Sequence, residues 1–170
     1  NISFGNTYGS HDGTSLLERF LDNASEVGRC VICVGSGNEG AAMGHVSGNA
    51  ARETETELAV GNYQQAFSVQ LWKNYADIFR ITLTSPGGRT ALFSTDNAGG
   101  ERMRRIRLEE TEVLLYVGEP TPYSAQQEIY LDFLPEGRYV NSGVWKFGLS
   151  PVRIVTGDYS MYLPSQSAVS

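Results

Sequence analysis

From residue 54 onward the apolar residues fall on every second position, and this constrains the fold more than any other feature of the chain. Phe67, Val69 and Leu71 alternate with Ser68 and Gln70, and Phe79, Ile81 and Leu83 with Arg80 and Thr82. Ile106 and Leu108 alternate with Arg105 and Arg107, Ile129, Leu131 and Phe133 with Tyr130 and Asp132, and Trp145, Phe147 and Leu149 with Lys146 and Gly148. Successive side chains of a strand point to opposite faces, so each segment has one face suited to a core and one suited to water. Turn signals separate them: Ser85-Pro86-Gly87-Gly88, Asp96-Asn97-Ala98-Gly99-Gly100, Pro120-Thr121-Pro122 and Pro135-Glu136-Gly137. Short strands at this spacing, with no helix between them, predict an antiparallel β-sandwich or barrel. About eight or nine strands fit into residues 54–164, which favours a jelly roll. A chain of 170 residues with 41% apolar and 19% charged residues can build such a core, with room for part of a second domain.

Residues 1–40 follow a different period. Ile2 to Phe4 is apolar and stops at Gly5. Between Ser15 and Val27, the residues Leu16, Leu17, Phe20, Leu21, Ala24 and Val27 share one helical face. Ser15 and Glu18 have capping-box spacing, and Gly28 marks the end. The run Cys30-Val31-Ile32-Cys33-Val34 then reads as a strand covered on both sides. A strand–helix–strand unit of this size predicts a right-handed crossover in a parallel sheet. Two strands make no stable sheet, so the remainder is expected in residues outside this sequence. The chain opens within what reads as a strand and stops in Ser167-Ala168-Val169-Ser170, which fits an expected piece of a longer protein. Residues 41–53 lose periodicity and read as a linker or surface loop. The expected division is 1–48 for the α/β piece, 49–166 for the jelly roll, and 167–170 returning towards the α/β part.

Several function classes fit poorly. The net charge is −6, whereas a protein tracking a phosphate backbone needs a basic surface. Arg102, Arg104, Arg105 and Arg107 are followed by Glu109, Glu110 and Glu112, as on a solvated strand face of mixed charge. No apolar run approaches the roughly 20 residues of a membrane span. Cys30 and Cys33 have C-x-x-C spacing, but on a strand residues i and i+3 face opposite ways, so neither a disulfide nor a shared metal is expected. They read as buried thiols. No metal site and no cofactor is expected.

The sharpest local feature is Gly35-Ser36-Gly37-Asn38-Glu39-Gly40, directly after the apolar run. It matches G-x-G-x-x-G, but a dinucleotide site needs that motif to open a helix after the first strand of its unit. Here it follows the second strand, and the glycines of Ala41-Ala42-Met43-Gly44-His45-Val46-Ser47-Gly48 make a poor helix. The alternative is a loop that presents the Asn38 side-chain amide at the C-terminal end of a parallel strand. An amide there can donate to an oxyanion developing during acyl transfer.

The order of Asn1-Ile2-Ser3-Phe4-Gly5, a helix, and Cys30 to Gly40 resembles the middle of a subtilisin-like serine peptidase of the S8 family. The resemblance implies that Asn38 is the oxyanion-hole asparagine. It places Ser3, Phe4 and Gly5 on one wall of the substrate pocket and Gly35, Ser36 and Gly37 on the other. The β-rich remainder is similar to the jelly-roll insertion of Csp-type germination proteases and related bacterial subtilases. Thr121-Pro122-Tyr123-Ser124, Gly143-Val144-Trp145 and Tyr162-Leu163-Pro164-Ser165 carry that second likeness. The implied protein is bacterial, secreted or associated with the envelope or spore. Its implied partners are a protein or peptide substrate and the rest of the catalytic domain.

One departure limits what this sequence can do alone. The family's Asp and His-Gly-Thr before the asparagine, and its Gly-Thr-Ser-x-Ala after it, are not among these residues. His11-Asp12-Gly13-Thr14-Ser15 approximates the His and Ser motifs, but it lies between the two pocket walls and reads as a turn and helix cap. His11 and His45 read as loop residues. The expected function is therefore part of an endopeptidase whose Ser-His-Asp triad lies outside these residues, with no activity from this part alone. The alternative is a carbohydrate- or protein-binding sandwich, with Tyr63, Trp72, Tyr75, Tyr123 and Tyr139 as possible platforms. A third possibility is assembly, in which the sandwich docks on a catalytic domain. N-x-S sequons at Asn1 and Asn23 are weak signals. Asp77, Asp96 and Asp132 read as solvated or turn residues.

Overall fold

Every segment with a two-residue period becomes a strand, and its apolar positions turn inward. The computed structural model describes residues 1–3, 8–37, 42–96 and 102–163. After helix α1 (Leu16–Gly28) come β1 (His45–Asn49), β2 (Thr54–Val60), β3 (Phe67–Asn74), β4 (Ile78–Thr84) and β5 (Thr90–Ser94). They are followed by β6 (Met103–Leu108), β7 (Thr111–Val117), β8 (Gln126–Pro135), β9 (Gly143–Arg153) and β10 (Asp158–Tyr162).

The strands form two antiparallel sheets. One has the order β1-β10-β3-β8-β7-β6 and the other β2-β9-β4-β5. From β1 to β4 the chain changes sheet at every connection, and it does so again from β8 to β10. The β6–β7 hairpin extends the larger sheet beyond β8. Between the sheets lie Val69, Leu71, Val113, Leu115, Leu131 and Phe133 from one side and Ile81, Leu83, Phe93, Trp145, Phe147 and Leu149 from the other. Phe133 organises part of this core: it stacks on Phe67 at 4.6 Å and meets Trp145 edge-on at 5.2 Å. Trp145 is fully buried, and its indole N–H donates to the Asn141 carbonyl at 2.9 Å.

The turn residues work locally. The β4–β5 hairpin closes with Gly88 N–H donating to Ser85 O at 2.9 Å and Ser85 N–H to Arg89 O at 2.8 Å. Gly88 takes φ 86°, which an L side chain rarely adopts. Residues 97–101, in the expected turn before β6, lie outside the described residues.

Four expectations change. Residues 45–49, expected to be loop, form strand β1, with all five residues exposed. Main-chain pairing to β10 holds this edge strand, and because it buries neither face no alternation marks it in the sequence. Helix α1 forms with the expected capping box, since the Ser15 hydroxyl accepts from Glu18 N–H at 3.2 Å and Glu18 Oε2 accepts from Ser15 N–H at 3.0 Å. The left-handed residue at its end, however, is Arg29 (φ 46°) rather than Gly28. The expected covered strand at 30–34 is not formed: Val31 is 89% exposed, and both thiols are exposed rather than buried. Parallel pairing among the described residues is limited to one bridge, Ile2 with Val34. The physical reason is shared, because nothing among the described residues packs on that side. The helix buries no residue, and Leu16, Leu17, Phe20 and Val27 on its apolar face are each more than 60% exposed.

Asp77 supplies the fourth correction. It lies in the β3–β4 turn as expected, yet it is fully buried. Its Oδ1 accepts from Val155 N–H at 2.5 Å and Thr156 N–H at 3.1 Å. Its Oδ2 accepts from the Thr156 hydroxyl at 3.0 Å and Gly157 N–H at 2.9 Å. Burial pushes the carboxyl up, but these donors outweigh it and hold it below the ordinary 3.8. Lys73 lies alongside, also fully buried, donating to Asp77 O at 2.5 Å, Gln127 Oε1 at 2.7 Å and Asn74 O at 3.1 Å. This polar network ties the β3–β4 turn to the β9–β10 connection where a wholly apolar core could not reach.

Candidate functional site

The two segments singled out as pocket walls meet at the Ile2–Val34 bridge. Ile2 N–H donates to Cys33 O at 2.7 Å, and Gly35 N–H donates to Ile2 O at 3.0 Å. This is the staggered pattern of parallel strands, and it leaves Ser3 and Gly35 side by side as the next residues. Ser3, Gly35, Ser36 and Gly37 are all exposed. Gly37 has φ 88°, so the loop turns there in a way only glycine does at low cost. Phe4, Gly5 and Asn38 lie outside the described residues, so four of the seven candidate residues have a described position.

Two segments lead out of these walls, and both run onto the outer face of the larger sheet. The first passes through Tyr8 to Ser15. Asp12 organises it, with its Oδ1 accepting from the Ser10 hydroxyl at 2.6 Å, the Thr14 hydroxyl at 2.7 Å and Thr14 N–H at 3.0 Å. Burial pushes the Asp12 carboxyl up, and these hydrogen bonds more than compensate, holding it below 3.8. Ser15 serves as the helix cap, as the turn-and-cap reading requires. The Thr14 hydroxyl oxygen also lies 2.7 Å from Ser124 Oγ, in the β7–β8 connection, and with its own proton on Asp12 it accepts from the Ser124 hydroxyl. The second segment, 42–44, leads into β1, and Leu163 N–H donates to Gly44 O at 2.8 Å.

Tyr162 on β10 receives a ring from each. The His11 ring lies 4.3 Å from it with a 30° tilt, and the His45 ring lies 4.5 Å away, nearly parallel at 12°. His45 is also the direct cross-strand partner of Tyr162. Sequence reading assigned both histidines to loops and gave Tyr162 no role. His11 and His45 precede Tyr162 by 151 and 117 positions in the chain, so no local signal marks the shared partner.

Beside this stack an apolar cavity of about 140 Å³ opens between the sheets, with Met43, Val46, Leu58, Phe147 and Met161 among its walls. A second, shallow groove is lined by Tyr75, Pro120, Thr121, Pro122, Tyr123 and Ser124. The Thr121 hydroxyl there is buried with no hydrogen-bond partner among the described residues. Of the other aromatic candidates, Tyr63 is 77% exposed and meets Tyr139 edge-on at 5.3 Å, with the Arg138 guanidinium 5.8 Å from the Tyr139 ring. Trp72 is half-buried on β3. Arginines in and just before β6 form surface ion pairs: Arg102 with Glu119, Arg105 with Glu112 at 3.0 Å, and Arg107 with Glu136. Among the described residues no group of three His, Cys, Asp or Glu could hold a metal ion, and no helix is long and apolar enough to cross a membrane.

The architecture is a two-sheet antiparallel sandwich carrying one short helix whose apolar face is exposed. Such a fold occurs in a protease. The structure is similar to that of the CspB protease of Clostridium perfringens, with a TM-score of 0.85 and 24% sequence identity. The likeness covers 96% of this chain and 35% of that protein, so the chain spans about a third of its relative. No family model and no curated protein matches the sequence.

Proposed function

We propose that this chain is the oxyanion-loop segment and jelly-roll insertion of a subtilisin-like serine endopeptidase whose Ser-His-Asp triad lies outside residues 1–170. The Ile2–Val34 bridge carries the reading, because it sets Ser3 beside Gly35-Ser36-Gly37 as two walls of a peptide-binding cleft would stand. The uncovered face of α1 supports it, since exposed Leu16, Leu17 and Phe20 suit a helix that packs on a larger sheet. The strand order supports the jelly-roll part. With the β6–β7 hairpin set aside, the sheets read β1-β10-β3-β8 and β2-β9-β4-β5, the arrangement two nested Greek keys produce.

In this reading a serine supplied from outside these residues attacks the peptide carbonyl while a histidine accepts its proton and later delivers it to the leaving amine. The Asn38 amide donates to the carbonyl oxygen as it becomes negative, and Ser3 and Gly35 to Gly37 hold the peptide alongside. The test is Asn38→Ala in the full-length protein. A loss of roughly 10²–10³ in kcat with little change in KM is expected, the size seen when such a donor is removed from a subtilisin. Unchanged kcat would refute the assignment. Residues 1–170 alone should not react with a fluorophosphonate active-site probe, whereas the full-length protein should.

A binding-module reading has one observation in its favour, the groove between Tyr75 and Tyr123 with its unpartnered Thr121 hydroxyl. Retardation of the chain in glycan-containing gels, abolished by Tyr75→Ala, would support it. Unretarded migration would dismiss it.

A further inference from the structure

The two histidines of the chain sit at corresponding places: each follows one of the two walls, and each ends on the same tyrosine ring. We propose that Tyr162 is the joint through which the sandwich sets the spacing of the Ser3 and Gly35–Gly37 segments, which makes it a positioning residue for the cleft. That the two segments form a cleft rests on the peptidase reading; the joint itself rests on geometry.

Three observations support it. The first is the pair of ring contacts, 4.3 Å for His11 and 4.5 Å for His45, on a side chain that belongs to the body of the sandwich. Neighbouring Met161 is buried in the core, so β10 gives Tyr162 a fixed base. The second is backbone strain placed beside the contacts. His11 has φ 53°, and Met43, just before His45, has φ 50°. A left-handed conformation away from glycine is strained and persists where surroundings hold it. The third is that each segment has a further tie to the sandwich near its ring: Thr14 to Ser124 on one side, and Gly44 to Leu163 on the other. Among the described residues, the walls are joined to each other by a single bridge. Helix α1 buries none of its residues, so the ties that hold each segment to the sandwich are what position the walls in this proposal.

The test uses this chain and two variants, Tyr162→Ala and Tyr162→Phe. Phenylalanine keeps the ring and alanine removes it. Ring C–H proton signals of His11 and His45 should be shifted by the tyrosine ring current in the wild type and in Tyr162→Phe, and should move towards free-histidine positions in Tyr162→Ala. NMR-detected exchange of the Ile2 and Gly35 amides, which donate across the bridge, should be at least tenfold faster in Tyr162→Ala and unchanged in Tyr162→Phe. Amides of β2, β4 and β9 report whether the sandwich is intact. If Tyr162→Ala unfolds them, the double variant His11→Ala with His45→Ala removes the stack from the exposed side and answers the same question. Bridge amides that exchange equally in wild type and stack-less variants, or that show no protection in the wild type, would overturn the joint. In the full-length protein Tyr162→Ala should lower kcat/KM at least tenfold relative to Tyr162→Phe. A wild-type full-length protein without peptidase activity would refute the peptidase reading and leave the amide result to decide the joint.

Discussion

Replacing Asp77 by asparagine keeps the shape of the side chain and changes only its charge and donor pattern, so its cost can be worked from the hydrogen bonds. The best orientation leaves the amide oxygen at Oδ1, still accepting from Val155 and Thr156 N–H. The new NH₂ then replaces Oδ2. The Thr156 hydroxyl can rotate to accept from it, but Gly157 N–H, which donates to Oδ2 at 2.9 Å, is left facing another donor. One buried N–H loses its partner, at about 1–3 kcal/mol, and the surviving bonds lose their charge assistance, at about 1 kcal/mol in all once relaxation is allowed. A total near 3 kcal/mol follows, and Asp77→Ala, which strands three backbone donors, should cost more. The assay is urea unfolding followed by tryptophan fluorescence, since Trp145 is fully buried. With an m-value of about 2 kcal/mol/M the midpoint should fall by about 1.5 M. The pH dependence has a determined sign. The folded carboxyl titrates below 3.8, so its stabilisation is fully present above the unfolded value and is lost as pH falls through the folded one. The gap between wild type and Asp77→Asn should therefore close on acidification below 3.8. A variant within 0.5 kcal/mol of wild type at pH 7, or a gap that is independent of pH in acid, would refute this account of the β9–β10 connection.

Lys73 predicts the opposite end of the pH scale. Burial pushes its ammonium down to about 8, opposed by the charge of Asp77 and reinforced by that of Arg153, so between about 8 and 10.5 the unfolded chain binds more protons than the folded one. Stability relative to Lys73→Met should rise across that window by roughly 3 kcal/mol, and a flat difference in denaturation free energy would contradict it. Trp145→Ala should cost about 4 kcal/mol by emptying a fully buried site against Phe133, measured by calorimetric Tm; a change below 1 kcal/mol would deny Trp145 its place in the core. Phe20→Glu should leave the stability of this chain within about 0.5 kcal/mol, because Phe20 is 66% exposed, yet should lower the Tm of the full-length protein if α1 packs there. Equal Tm values for wild type and Phe20→Glu in the full-length protein would show that no layer covers the helix.

The sandwich was legible in the sequence because period-2 alternation is a local property. Phe67, Phe79, Ile129 and Trp145 each announce a strand and its inner face without reference to any other residue. The capping box of α1 was legible for the same reason, being a contact between Ser15 and Glu18 three residues apart. Strand β1 was not, since an edge strand that buries neither face is defined only by its partner β10. Nor was the exposure of Cys30 and Cys33: an apolar run states what a segment can bury, and whether something buries it depends on chain packed elsewhere. The candidate site divides along the same line. The resemblance to a known family implied Ser3 and Gly35 to Gly37 as walls, but only the three-dimensional arrangement joined them through the Ile2–Val34 bridge and brought His11 and His45 to Tyr162. Local pattern decides which strands form and which way they face, because each residue's neighbours along the chain are enough to set its side. Distant pairing decides where a lone aspartate, lysine or tyrosine finds its partners, because those interactions exist only once the sheets have closed.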